Sequence, residues 1–230
     1  DERHDPHGRH ERVGEHAARL AVQGVTFSSR RPDGFDRGLR TLLELQAAGV
    51  RDIGFGITVS DGNAGDLLAL YRLSRGLGLE FATAAVHNSY YFPATDNAFR
   101  DPDRIAEAFA ELIAAQLGEK NAKSWFRAYF NHGLIAYVRG RERLLPCGAG
   151  TDLFFLDPFG EIRPCNGMEE SAWLDSFGNL HDRPFAEIWN SPKAAEIREK
   201  VRACPKNCWM IGTAVPTRPP TGISSGRMGR

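Results

Sequence analysis

Residues 147–165 read CGAGTDLFFLDPFGEIRPC, and this stretch decides how the last third of the chain folds. An apolar run, Leu153 to Leu156, meets Asp157-Pro158-Phe159-Gly160 and returns through Glu161-Ile162-Arg163. Two short β-prone runs around a Pro- and Gly-bearing break predict a β-hairpin. Cys147 and Cys165 bracket it. The other two of the four cysteines, Cys204 and Cys208, lie downstream and enclose Pro205-Lys206-Asn207.

Four soft donors in one window are the ligand set of one iron–sulfur cluster or one zinc ion. Unrelated buried thiols and disulfides are the other readings. The clustering speaks against scattered thiols. The first residues, DERHDPHGRHERVGEH, are polar and carry no signal-peptide pattern. The expected compartment is therefore the reducing cytoplasm, where disulfides are rare. Structural zinc sites usually draw ligands from two closely spaced knuckles. Only Cys204 and Cys208 are close here, so a Cys₄ zinc site is less natural but stays open. A cluster accepts a wider-spaced set, because each thiolate binds a different iron.

Upstream of the hairpin the periodicity changes. Asp33-Gly34 precede a helical pattern with an apolar stripe of Leu39, Leu42, Leu43 and Leu45, stopped near Gly49. Residues 52–60, DIGFGITVS, read as a buried strand. Asn63 can cap the helix that follows, which ends at Gly76-Leu77-Gly78. A second buried strand begins at Glu80 and ends at Val86. Strand, helix and strand in this order predict a parallel βαβ unit. Asp101-Pro102 then open a helix, and helical signal continues to about Arg141 with a break near Gly118. Beyond the hairpin, Ser176 to Leu180 read as a turn. Two short helices follow, Pro184 to Trp189 and Ser191-Pro192 to Val201.

The 230 residues balance 29 Lys and Arg against 29 Asp and Glu, so the net charge is zero. Neutrality gives no electrostatic case for nucleic acid or an anionic membrane as partner. No apolar run is long enough for a transmembrane helix.

The cysteine window carries a resemblance. Cys147, twelve residues, Gly160, four residues and Cys165 resemble the opening of the SPASM/twitch module of radical S-adenosylmethionine (radical SAM) proteins. FFLDPFGEIRPC is similar to that module's hairpin. SFGNL and PFAEIWNSPKAAEIREK resemble the segment between its two halves, and Cys204-PKN-Cys208 its closing pair. The full module has further cysteines, so this chain is nearer the shorter twitch form with one auxiliary cluster. The resemblance implies an α/β fold: the last βα units of a partial (β/α)6 radical SAM barrel, then a twitch/SPASM-like module. It implies barrel units over 35–143 and an iron–sulfur domain over 144–212, while composition marks 1–34 as a poorly specified lead-in and 213–230 as a disordered tail.

The same resemblance makes Cys147, Cys165, Cys204 and Cys208 ligands of an auxiliary [4Fe–4S] cluster. It also places Ser60, Asn63, His87 and Asn88 at strand ends that meet S-adenosylmethionine. Asn63 and His87 also have plainer readings. Asn63 is a helix cap, and His87 is a partly buried polar residue. Gly54 and Gly56 either admit adenine or serve packing. Tyr90, Tyr91 and Phe92 read as core aromatics rather than a pocket wall. His4, His7, His10 and His16 read as a solvated segment, and Trp209 is expected to shield the cluster.

Radical SAM proteins hold their radical-generating cluster with Cys-x-x-x-Cys-x-x-Cys, which this sequence lacks. The expected partners are therefore the N-terminal half that bears that motif, an external electron donor, and an unknown small-molecule or peptide substrate. By itself the chain is not expected to generate the radical. Two other functions remain: a non-catalytic, zinc-stabilised interaction module, and a stand-alone electron carrier. The unpaired edge of the first strand speaks against the carrier.

Overall fold

The computed structural model of the chain describes residues 33–88, 98–165 and 176–214. The lead-in with its histidines, Tyr90 to Phe92, and the tail after 214 lie outside the described residues. The described residues form two compact units. One holds those up to Ala85 together with Arg100–Ala128; the other holds those between Val86 and Phe99 and from Tyr129 onward. The fold is mixed α/β.

In the first unit, helix α1 (Gly34–Ala47) buries Phe35 and Leu39, one turn apart. Phe35 stacks on Phe55 of strand β1 (Gly54–Val59) with ring centroids 6.1 Å apart. The leucine stripe is shallower than its spacing predicts. Leu42 and Leu43 are half-buried and Leu45 is exposed.

A 3₁₀ turn (Ala64–Asp66) leads into helix α2 (Leu67–Gly76). Gly78, at φ +67°, ends that helix. Its N–H reaches the Arg75 carbonyl and the Leu79 N–H reaches Ser74, the paired bonds of a left-handed helix stop. The chain then enters strand β2 (Glu80–Ala85), which pairs in parallel with β1 from Gly54↔Glu80 to Val59↔Ala85. The βαβ unit is as the sequence predicts.

The burial of that sheet differs from expectation. Phe55, Ile57 and Val59 alternate with Gly56 and Thr58, and Phe81 and Ala85 with Ala82 and Ala84. The first set is half-buried or buried, while the second is exposed. Among the described residues, then, β1 and β2 are covered on one face rather than buried on both.

Helix α3 (Pro102–Leu117) has Pro102 at its first turn, and the Asp101 carboxylate accepts from the Arg104 N–H at 3.0 Å. It buries Ile105, Phe109 and Leu112. Glu119, just beyond its end, accepts from the Tyr71 hydroxyl at 2.6 Å and pairs with Arg75 at 2.7 Å. Burial first, and then the Glu119 carboxylate, push the Tyr71 phenol up to about 12.

Helix α4 (Ala122–Val138) carries the chain from the first unit into the second. The second unit contains the predicted hairpin. Strands β3 (Phe155–Leu156) and β4 (Glu161–Arg163) pair antiparallel, with Phe155 opposite Arg163. Gly160 sits at φ +85° in the turn, a conformation that an L side chain resists. The predicted turn at Ser176–Leu180 is more than a turn. Gly178–Asn179 form a third strand, β5, antiparallel to β4. Helices α5 (Phe185–Trp189) and α6 (Pro192–Arg202) follow as expected, and the Ser191 hydroxyl caps α6 at Ala194 N–H, 3.1 Å. These elements enclose a small core of Ala149, Ile162, Phe177, Ile188, Ala194, Ile197 and Val201.

Candidate metal centre

Each cysteine adjoins a local feature of the second unit. Cys147 stands just before a tight turn in which the Gly148 carbonyl accepts from Asp152 N–H at 2.7 Å. Cys165 comes two residues after β4. Cys204 closes the end of α6, its N–H donating to Val201 at 3.1 Å. Cys208 precedes the buried Trp209. None of the four is in a disulfide, and all are half-buried. Cys147 and Cys165 pack against the small core.

Burial pushes the Cys208 thiol up, and the Cys147 and Cys204 sulfurs add to that push. Arg143 and Lys206 pull the other way. Cys147, Cys204 and Cys208 thus share one electrostatic neighbourhood, while Cys165 is tied to Cys147 through the core they both touch. Among the described residues, no three His, Cys, Asp or Glu side chains are gathered tightly enough to grip a single metal ion.

The hairpin is braced at its turn. The Asp157 carboxylate is buried and accepts from Phe159 N–H at 2.9 Å and Glu161 N–H at 3.0 Å. Asp157→Ala leaves two amides without that acceptor, a cost of about 2–3 kcal/mol. Chemical denaturation should register that loss, and Asp157→Asn, which keeps an acceptor oxygen, should recover part of it.

The loop between Cys204 and Cys208 is fixed by residues that the cysteine pattern does not announce. The Asn207 amide donates to the carbonyls of Tyr137 (3.2 Å) and Arg141 (3.0 Å), at and just beyond the end of α4. The Trp209 indole donates to Phe130 at 2.9 Å and stacks on its ring. A Cβ on Gly133, inside α4, would collide with the indole at Cε2, Nε1 and Cζ2. The Arg143 guanidinium lies over the same indole, 5.4 Å from its centroid. The Tyr137 hydroxyl donates to the Val86 carbonyl at 3.1 Å, and burial first, then Cys208, push that phenol up to about 12. In sequence these partners lie 51 to 79 positions apart, so only an Asn or a Trp beside a cysteine hinted at them.

The strand-end residues fall in separate units. In the first, the Asn63 side chain does not cap the following turn as expected. It folds back instead, accepting from Ser60 N–H at 2.8 Å and donating to the Thr58 carbonyl at 3.0 Å. The loop after β1 needed that acceptor more than the short 3₁₀ turn did. Ser60 and Asn63 are thus brought together. His87 and Asn88 are half-buried directly after β2, in the second unit.

Comparison with known proteins adds to this geometry. Residues 147–210 match the SPASM family model, an iron-sulfur cluster-binding domain, and this span holds all four cysteines. The PqqA peptide cyclase of Xanthomonas axonopodis pv. citri (strain 306) is 25% identical, over 83% of this chain and 62% of the relative. That of Xanthomonas campestris pv. campestris (strain 8004) is 26% identical, over 83% and 61%. The chain therefore spans less than two thirds of the length of these relatives. Among solved structures, native anSMEcpe with bound AdoMet shares 16% identity at a TM-score of 0.49, over 73% of this chain and 46% of that one. No helix among the described residues is long and apolar enough to cross a membrane. Residues 147–210 are an iron–sulfur cluster-binding SPASM domain, and over most of its length the chain is similar to PqqA peptide cyclases.

Proposed function

We propose that this chain is the auxiliary-cluster portion of a cytoplasmic radical SAM enzyme that modifies a peptide. Cys147, Cys165, Cys204 and Cys208 would each ligate one iron of a [4Fe–4S] cluster. The observation that carries this reading is that the iron–sulfur family match spans all four thiols, three of which share one neighbourhood. The donor set fits the group: soft, half-buried sulfurs between a hairpin base and a pinned loop.

When bound, the cluster supplies one-electron chemistry. Four thiolates leave no iron open, which favours electron transfer over direct ligation of substrate. The protein's own contribution is to hold the sulfurs, exclude water with Trp209 and set the local charge. Residues 35–143 would be the last βα units of a partial barrel, with the module at 144–212. Ser60, Asn63, His87 and Asn88 would meet S-adenosylmethionine there. The radical-generating cluster would be held by a Cys-x-x-x-Cys-x-x-Cys outside these residues. A peptide substrate is favoured by the relatives, which are named for cyclising one.

Anaerobic reconstitution with Fe(II) and sulfide, followed by metal and sulfide analysis, tests this reading. A brown chain with about four irons is expected. A colourless chain with one zinc would replace the reading with the zinc-stabilised module.

A further inference from the structure

Arg143 is not a thiol, carries no motif, and is nevertheless bonded to both ends of the cysteine site. Its Nε–H donates to the Leu145 carbonyl at 3.1 Å, two residues before Cys147. One terminal nitrogen donates to the Cys208 carbonyl, and the other to Thr213 at 2.9 Å. The guanidinium face covers Trp209. A planar, five-donor fork can make this set of bonds at once, and a lysine ammonium cannot.

We propose that Arg143 is a positioning residue of the cluster site: it locks the first and last cysteines in register and holds a positive charge beside the Cys208 sulfur, so that a bound cluster is easier to reduce. The inference rests on the iron–sulfur reading above. The three carbonyls are dipoles rather than charges, so the guanidinium keeps its full positive charge. That charge stands against the Cys208 main chain and over the neighbouring Trp209 ring. Reduction adds one negative charge to a cluster. A fixed cation nearby stabilises the reduced form more than the oxidised one, and partial burial limits the screening.

The test uses the 230-residue chain, reconstituted anaerobically with Fe(II) and sulfide, as parent, Arg143→Lys and Arg143→Gln. Iron and sulfide content, the electron paramagnetic resonance of the reduced form, and a mediated redox titration are read for each. Arg143→Gln should lower the reduced-to-oxidised ratio at fixed potential by about tenfold or more, which is about 59 mV for a one-electron couple. Arg143→Lys should keep a potential near the parent's but release iron to a chelator several-fold faster, since the charge stays and the fork is gone.

An unchanged potential in Arg143→Gln, with a full cluster, overturns the inference and leaves the iron–sulfur reading intact. If Arg143→Gln holds no cluster, melting of the metal-free proteins decides. An unaltered melt supports the positioning role, and a lost melt shows a residue needed only for folding and overturns it. A parent chain that takes up no iron overturns the iron–sulfur reading, and this inference with it.

Discussion

Gly133→Ala is expected to destabilise the chain by about 2–4 kcal/mol, although the same change in an unburdened helix stabilises by about 1 kcal/mol. Gly133 lies inside α4, where glycine is a poor choice on propensity alone. Its reason is Trp209. The indole occupies the space a methyl group would take, donates to the Phe130 carbonyl, and is flanked edge-on by Tyr129 and face-on by Phe130. A methyl at 133 forces the indole out or the helix aside. Unseating a buried tryptophan costs roughly 3–5 kcal/mol, less the helix-propensity gain of about 1 kcal/mol.

A double-mutant cycle isolates the contact. Trp209→Ala alone should cost about 3–5 kcal/mol. In that background Gly133→Ala should change sign and become neutral or stabilising by up to about 1 kcal/mol. Equal effects of Gly133→Ala in both backgrounds, measured by urea denaturation, would show that the glycine does not make room for the indole.

The features legible in the sequence were those whose causes are local. The hairpin around Gly160, the Ser191-Pro192 and Asp101-Pro102 helix starts, and the stop at Gly78 each depend on residues within one turn of each other. The SPASM match over 147–210 was legible because it rests on rare residues at constrained spacing. β5 escaped because Gly178 and Asn179 carry no strand propensity; their pairing comes from β4 alongside. Asn63 escaped for a related reason. A cap and a fold-back use the same side chain, and only the position of Ser60 N–H decides between them. Gly133, Arg143 and Asn207 were illegible because their meaning lies in partners far along the chain. The covered and bare faces of β1 and β2 follow from which helices are present to pack there, and strand composition does not record that.

Removing one thiol should have the largest effect on the loaded protein. The core of the cysteine module is small, seven buried residues of which two are alanine. Modules of this size commonly depend on a bound metal for stability. A ligand bound to the native state at a hundred times its dissociation constant adds about 2.7 kcal/mol. For a domain of 60–100 residues that corresponds to roughly 10–20 °C in Tm. Cys147→Ala, Cys204→Ala and Cys208→Ala are each expected to lose at least half of the iron and to melt near the metal-free parent. Cys165→Ala completes the series, because Cys165 packs against the same small core as Cys147. If it alone keeps the parent's iron and Tm, the fourth ligand is another residue. If all four variants keep both, the thiols are not the site. Amide exchange locates the effect. Protection should fall in β4 and α6 and persist in β2 and α2, which belong to the other unit and whose packing does not depend on any thiol.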